Sequence, residues 1–307
     1  MKQRFCMLLL LGIVFVGLSG CAGRAPVTLY DLGVAAQDRG DVGPAMEYYK
    51  EFLLEHPNDL RARFNLAVLY HDQQNYAAAK KQYQRLIIQY PEHARSLINL
   101  ADIATVEGNP TQAHLLLLRA VEAEPDRAYP YSYLGRYLQQ QGRLEQAMTA
   151  YERALAIEDD SVTRYRLGTL WLQQDNKAKA QEQFAHAIKL DPNYREALYQ
   201  LAQLAMETGQ NTEALRHLQR LAHLTPYRAE VFVLLGKLYL QQGLYATAAI
   251  HLWEARDLEP HSPEVERLLL ETFQHLLQQQ QEVINRLPST PTSPVAGVLQ
   301  EKAKMNR

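Results

Sequence analysis

A reacting centre in this 307-residue chain would have to be built from two thiols, Cys6 and Cys21, ten histidines and scattered carboxylates. Both cysteines lie near the N-terminus, which excludes a disulfide framework, a Cys-rich zinc site and a Cys-x-x-Cys redox pair. No two histidines fall three or four residues apart, the spacing at which one helix face can hold a metal. They read as surface or groove residues, and no metal is expected. The adjacent carboxylates Asp159 and Asp160 fall in a predicted turn, where a solvated loop is a simpler reading than an acid–base pair. Gly-x-x-x-x-Gly-Lys, Gly-x-Gly-x-x-Gly and Gly-x-Ser-x-Gly do not occur, so a phosphate loop and a nucleophile elbow are missing. The chain is expected to have no catalytic residues and no cofactor, which leaves covalent modification of one thiol and non-covalent binding.

Composition allows a packed structure to present such a surface. With 47% hydrophobic and 21% charged residues the chain can bury a core, and neither wholesale disorder nor a collagen-like fold fits. A formal net charge of −2 gives no field that would gather polyanions, so a general nucleic-acid binder is disfavoured.

Residues 1–20 read as a targeting segment. Met-Lys-Gln-Arg supplies a charged start, Phe5 to Gly17 is almost wholly apolar, and Leu18-Ser19-Gly20 precedes Cys21, the layout of a secretory signal. A membrane helix needs roughly 20 apolar residues, a length reached here only by counting Ser19 to Gly23, so an uncleaved span is the rival. Leu18-Ser19-Gly20-Cys21 resembles the bacterial lipobox. That resemblance implies cleavage before Cys21 and a covalent lipid on its thiol, the only prosthetic group expected. Each buried methylene contributes roughly 0.8 kcal/mol, and one acyl chain holds only marginally, so the two or three chains of a lipoprotein would fix the protein to a membrane. Ala22 follows the cysteine instead of the Asp that retains many such proteins in the inner membrane, which implies an outer-membrane address facing the periplasm. Loss of Lys2 and Arg4 takes the net charge from −2 to −4.

A period of 34 residues organises the rest. Pro57, Pro91, Pro125, Pro192, Pro226 and Pro260 keep that spacing across one gap of 67 that hides a further unit. Counting back from the prolines, the eighth position of each unit is small: Gly33, Ala67, Ala101, Gly135, Gly168, Ala202 and Gly236. The twentieth is always alanine, and four residues later stands a bulky side chain, as at Tyr49, Tyr83, Leu117, Tyr151 and Phe184. Apolar residues recur at helical spacing within each unit, as in Leu167, Leu170, Trp171 and then Ala180, Phe184, Ala187, Ile188. Each unit therefore reads as two amphipathic helices held close by small residues, with Gly40, Gly108, Gly142, Gly209 and Gly243 breaking the chain between them. Trp171 takes a core position, where truncation should cost about 3–5 kcal/mol.

This pattern resembles the tetratricopeptide repeat. The resemblance implies an all-α, right-handed superhelical solenoid of about seven helical hairpins: 26–59, 60–93, 94–127, 128–160, 161–194, 195–228 and 229–262. Residues 21–25 form a lipidated linker before it. Asp159 replaces the proline that would end the fourth unit, so a looser turn is expected there, either a hinge or ordinary drift. A capping helix spans 263–287, covering the apolar face of the last repeat; Leu269, Phe273, Leu276, Val283 and Leu287 fall on a 4-3 spacing broken by Gln280, so a short coiled coil with a partner is the rival reading. The Pro/Ser/Thr-rich tail, 288–307, should be disordered.

In such a repeat the first helix of each hairpin lines a concave face. Its exposed positions carry Tyr129, Tyr133, Arg136, Tyr165, Arg166, Thr169, Tyr199 and Gln203 towards the centre of the array. Tyrosine and arginine dominate protein-binding hot spots, so these residues form either a groove for a segment of another protein or a filling between neighbouring helices. The Lys and Asn clamp with which some relatives hold a C-terminal carboxylate is absent. The whole chain is similar in design to the pilotins and Tad pilus assembly lipoproteins. This implies a non-catalytic, membrane-anchored scaffold for envelope proteins such as a secretin or pilus component, with no nucleic acid and no small-molecule substrate. An adaptor for exopolysaccharide or peptidoglycan machinery is the alternative.

Overall fold

The computed structural model describes residues 27–286. The signal segment, Cys21 and the tail from 287 onward lie outside them. The described residues form fifteen helices and no strands. They are α1 (Leu29–Asp38), α2 (Val42–Glu55), α3 (Leu60–Asp72), α4 (Tyr76–Gln89), α5 (Ala94–Val106), α6 (Pro110–Ala123), α7 (Ala128–Gln140) and α8 (Leu144–Ile157). There follow α9 (Ser161–Gln173), α10 (Lys177–Leu190), α11 (Arg195–Glu207), α12 (Asn211–Leu224), α13 (Ala229–Gln241), α14 (Tyr245–Leu258) and α15 (Pro263–Arg286). The described residues divide into two compact units, one up to Ile103 and one from Ala104 onward. In the first, α1 pairs with α2 and α3 with α4; in the second, α7 with α8, α9 with α10, α11 with α12 and α13 with α14.

Steric fit closes each hairpin. The rings of Tyr49, Tyr151 and Phe184 and the branched end of Leu252 lie directly over Gly33, Gly135, Gly168 and Gly236. A Cβ at any of these glycines would come within about 2.6–2.7 Å of the side chain above it, closer than real carbon atoms pack. The eighth position is thus small to seat the residue sixteen further on, which is fully buried in every one of these hairpins. Between the helices, Gly40 and Gly142 hold φ of 79° and 71°, the left-handed region that reverses the chain; Gln74 and Asp175 adopt it without glycine at 59° and 57°.

Two expectations need correction. The turn at Asp159 is pinned instead of loose: Arg164 Nε donates to Asp159 Oδ1 at 2.7 Å, and Asp160 Oδ1 accepts the Thr163 amide at 2.9 Å, capping α9. The arginine beside it holds the Asp159 carboxyl below the ordinary range. Trp171 is half-buried at the edge of the core around Phe184, with the Lys179 ammonium 4.0 Å from its ring centre. Its truncation therefore falls below the cost of a fully buried tryptophan. On α15 the buried residues are Val265, Leu268, Leu269 and Thr272, while Phe273 and Val283 are exposed. Among the described residues no helix is long and apolar enough to cross a membrane.

Gly168→Ala should keep its helices but lower the unfolding midpoint, because the stiff Phe184 ring cannot yield; the cost, read by denaturant melts, is about 1–3 kcal/mol. Gly43→Ala, where an added Cβ meets nothing within 4 Å, should be close to neutral.

Two histidines couple the fold to pH. Burial pushes the His217 imidazole below its ordinary 6.5, with Arg216 and Arg220 adding to the effect and Glu213 opposing it. Burial likewise lowers His114, which stacks on Tyr137. A depressed histidine pKa means that the unfolded chain binds the proton more readily. The stability contributed by each neutral ring is therefore complete above pH 6.5 and is lost as pH falls through that value. Thermal midpoints between pH 7.5 and 5.5 should fall, and His217→Leu should flatten the slope.

Candidate functional site

In three hairpins the fifth position of the first helix is used to pack. Tyr30, Phe64 and Tyr165 all stand there, and their ring centroids lie 5.9, 5.9 and 5.5 Å from the buried rings of Tyr49, Tyr83 and Phe184 in their own hairpins. Tyr165 also meets Tyr194 at 5.3 Å. Burial pushes the Tyr165 hydroxyl up and that of Tyr194 up to about 12. Tyr165 is thus largely filling between helices.

In the fourth hairpin the fifth position is Ser132, and its short side chain leaves room. A cavity of about 270 Å³ opens there between α7 and α9. Tyr129, Tyr133, Arg136 and Arg166 line it, joined by Ala128, Ser132, Glu158, Asp160, Val162 and Thr163. Four residues read as groove-lining from the sequence therefore converge on one space. Thr169, Tyr199 and Gln203 do not reach it. Thr169 Oγ1 donates to the Arg166 carbonyl at 2.7 Å on its own helix. The Tyr199 hydroxyl donates to the Glu230 carboxylate, receives a bond from Gln203 Nε2 at 3.1 Å, and its ring lies 5.0 Å below the Arg228 guanidinium. Burial, then the Glu230 bond, pushes the Tyr199 hydroxyl up to about 12.

Hydrogen bonds order the cavity wall. Ser132 Oγ and Thr163 Oγ1 are hydrogen-bonded at 2.9 Å, either hydroxyl able to donate, and the Tyr129 hydroxyl donates to Glu124 Oε2 at 2.7 Å. The Arg136 guanidinium lies 4.8 Å above the Tyr133 ring, a cation–π contact between two residues of the cavity wall. Arg136 and Arg166 both face the Tyr151 hydroxyl; burial raises its pKa and the two cations oppose that rise. Tyr133 itself is 39% exposed, the polar-tipped aromatic such a surface offers a partner.

Glu158, Asp160, Val162 and Thr163 were outside the sequence reading of the groove. They belong to the turn between hairpins and the first turn of α9, and the signal that could have found them is the small fifth-position residue that exposes that turn. Among the described residues no group of three His, Cys, Asp or Glu side chains could hold a metal ion.

Two tyrosines separate filling from binding. Tyr165→Ala should destabilise the fold by about 1–3 kcal/mol, below the roughly 3–5 kcal/mol of a fully buried aromatic truncation because the ring is half-buried. Tyr133→Ala should cost under about 0.5 kcal/mol, as expected at an exposed site. Paired denaturant melts would reverse the two assignments if Tyr133→Ala proved the costlier change.

Tetratricopeptide repeat models match residues 30–93, 72–128, 128–161 and 172–238. No curated protein sequence matches the chain. Among solved structures it is similar to PilF of Pseudomonas aeruginosa, at 23% identity and a TM-score of 0.59, covering 69% of this chain and 96% of PilF. PilW, described as a widely conserved type IV pilus biogenesis factor, is 19% identical with a TM-score of 0.56, over 68% of this chain and 97% of PilW. YrrB, a repeat protein with an unusual peptide-binding site, is 22% identical with a TM-score of 0.50, over 60% of this chain and 96% of YrrB. At these identities the likeness is one of fold. The 34-residue period, the glycine-seated hairpins and the matched repeat models agree, and the chain belongs to the tetratricopeptide repeat family.

Proposed function

We propose that this protein is a lipid-anchored, non-catalytic interaction scaffold of the bacterial envelope, held by acylated Cys21 in the outer membrane and facing the periplasm. The observation that carries the binding role is the tyrosine- and arginine-walled cavity between α7 and α9, on a fold whose family mediates protein–protein interaction. Arginine and tyrosine there bury large area while keeping polar ends for a partner to satisfy. No catalytic group is assigned to it: its carboxylates cap a helix or stand at its rim, and its arginines face a tyrosine hydroxyl.

The pathway rests on likeness of design. A lipobox at Cys21 ahead of helical repeats, together with the fold shared with PilF and PilW, supports a role in assembling a pilus or secretion machine, with a secretin or another machine component as partner. This is an argument from fold and address, not from the site.

Cys21→Ser should move the protein from the membrane fraction to the soluble fraction with unchanged helical circular dichroism. Persistent membrane association would revive the uncleaved-helix reading. Crosslinking in the native envelope, followed by purification and mass spectrometry, should retain a secretin or pilus component. Glycan enzymes alone among the retained proteins would replace the pilus reading with the exopolysaccharide or peptidoglycan one.

A further inference from the structure

The cavity between α7 and α9 is charge-ordered along its length. The Ser132–Thr163 bond at 2.9 Å and the Gln139–Thr169 bond at 3.4 Å join the two helices in the same sequence order, so α7 and α9 run side by side in the same direction. Glu158 and Asp160 stand at the end where both helices begin. Arg136 is eight residues beyond Ala128 on α7, and Arg166 six beyond Asp160 on the α9 side. At a rise of 1.5 Å per residue the Cα atoms of the two arginines therefore lie about 9–12 Å along the helices from the carboxylate end. The Arg166 guanidinium hydrogen-bonds the Tyr151 hydroxyl, and that of Arg136 lies over the Tyr133 ring. Ala128 and Val162 stand in the first turns of the two helices, by the carboxylate end, and Tyr133 lies between that end and the arginines beside Ser132.

An extended chain advances about 3.3 Å per residue, so roughly three residues bridge the two charged ends. We propose that this cavity selects an extended segment of a partner protein in which an acidic and a basic residue stand about three positions apart with a bulky apolar side chain between them. The acid meets Arg136 and Arg166, the base meets Glu158 and Asp160, and the apolar side chain enters the cavity against Tyr133 and Val162. This deepens the scaffold reading and rests on it, since it names the chemistry of what the same face takes. Complementary charge at both ends fixes the register of the segment and disfavours segments carrying one sign only.

The test is an array of immobilised twelve-residue peptides on a neutral Ser/Gly/Ala background. Each carries one central Leu or Trp and one Glu and one Lys at separations of one to six, and the array is probed with the full chain purified in detergent. Retention should peak near a separation of three and fall about tenfold when either charge is replaced by Gln. Arg166→Glu should abolish the dependence on the peptide's acid, and Ser132→Phe, which fills the cavity, should abolish retention. Retention indifferent to charge and separation but still lost in Ser132→Phe overturns the charge order while leaving the groove as a docking site. Retention untouched by Ser132→Phe, or no retention of any peptide, overturns both. Circular dichroism and melting accompany each variant; if Ser132→Phe fails to fold, Tyr133→Ala, at an exposed position, takes its place.

Discussion

Every hairpin depends on one close approach, the seating of a large side chain against a residue that has almost none. Where the eighth position is glycine, the ring or branched chain sixteen residues later rests on bare backbone, with no room for even one methyl group. The fit sets the distance between the two helices and so decides which other residues of the first helix reach a surface. Aromatic side chains at the fifth position then pack against the same buried ring, as Tyr30, Phe64 and Tyr165 do. A cavity appears where that second layer is left out, at Ser132. The binding surface is therefore a local omission in a repeated packing rule, and its shape is fixed by neighbours whose role is structural.

A second layer of order is polar. The Tyr49 hydroxyl donates to Gln37 Oε1 at 2.9 Å and accepts from Asn65 in the next hairpin at 3.1 Å. The Tyr151 hydroxyl donates to Gln139 Oε1 at 3.0 Å and is faced by Arg166 of the next hairpin, while Asn99 donates to the Tyr83 hydroxyl at 2.9 Å. The donor stands each time at the sixth position of the following hairpin. A buried hydroxyl left without a partner costs about 1–3 kcal/mol, so these bonds discriminate strongly between correct and shifted stacking even where their net contribution is small. Arg166 serves in this layer and in the cavity wall at once, which ties the geometry of the site to the seam between two hairpins.

The repeat was legible in the sequence because its steric rule recurs in every unit at fixed offsets, and a pattern of small and bulky residues survives without any knowledge of the fold. The site was legible only in part. Tyr129, Tyr133, Arg136 and Arg166 converge on one cavity, but Tyr165 shares the same helical face and is taken up by Phe184 and Tyr194. Sequence position places a residue on a face; whether it stays exposed there depends on the bulk of partners sixteen and more residues away. Asp159 and Asp160 carried no legible structural role because their bonds, to Arg164 and to the start of α9, form only once the turn has closed. On α15, Val265, Leu268, Leu269 and Thr272 are buried while Phe273 and Val283 stand exposed, so of the residues on the 4-3 spacing Leu269 faces inward and those two do not.

The pairing of each hydroxyl with a donor in the following hairpin makes the repeats non-interchangeable. Hairpins ending in Tyr49, Tyr83 or Tyr151 require Asn or Arg at the sixth position after them, whereas the buried Leu218 is followed by Leu234 at that place. If the last hairpin were transplanted behind the first, a tyrosine hydroxyl would meet a hydrocarbon. Duplication, loss or shuffling of whole units, the cheapest route by which a repeat gene changes length, would therefore be filtered at each junction by whether the new neighbours match. The order of the hairpins is written into the chemistry of their seams, and the array can grow only by changes that respect that grammar.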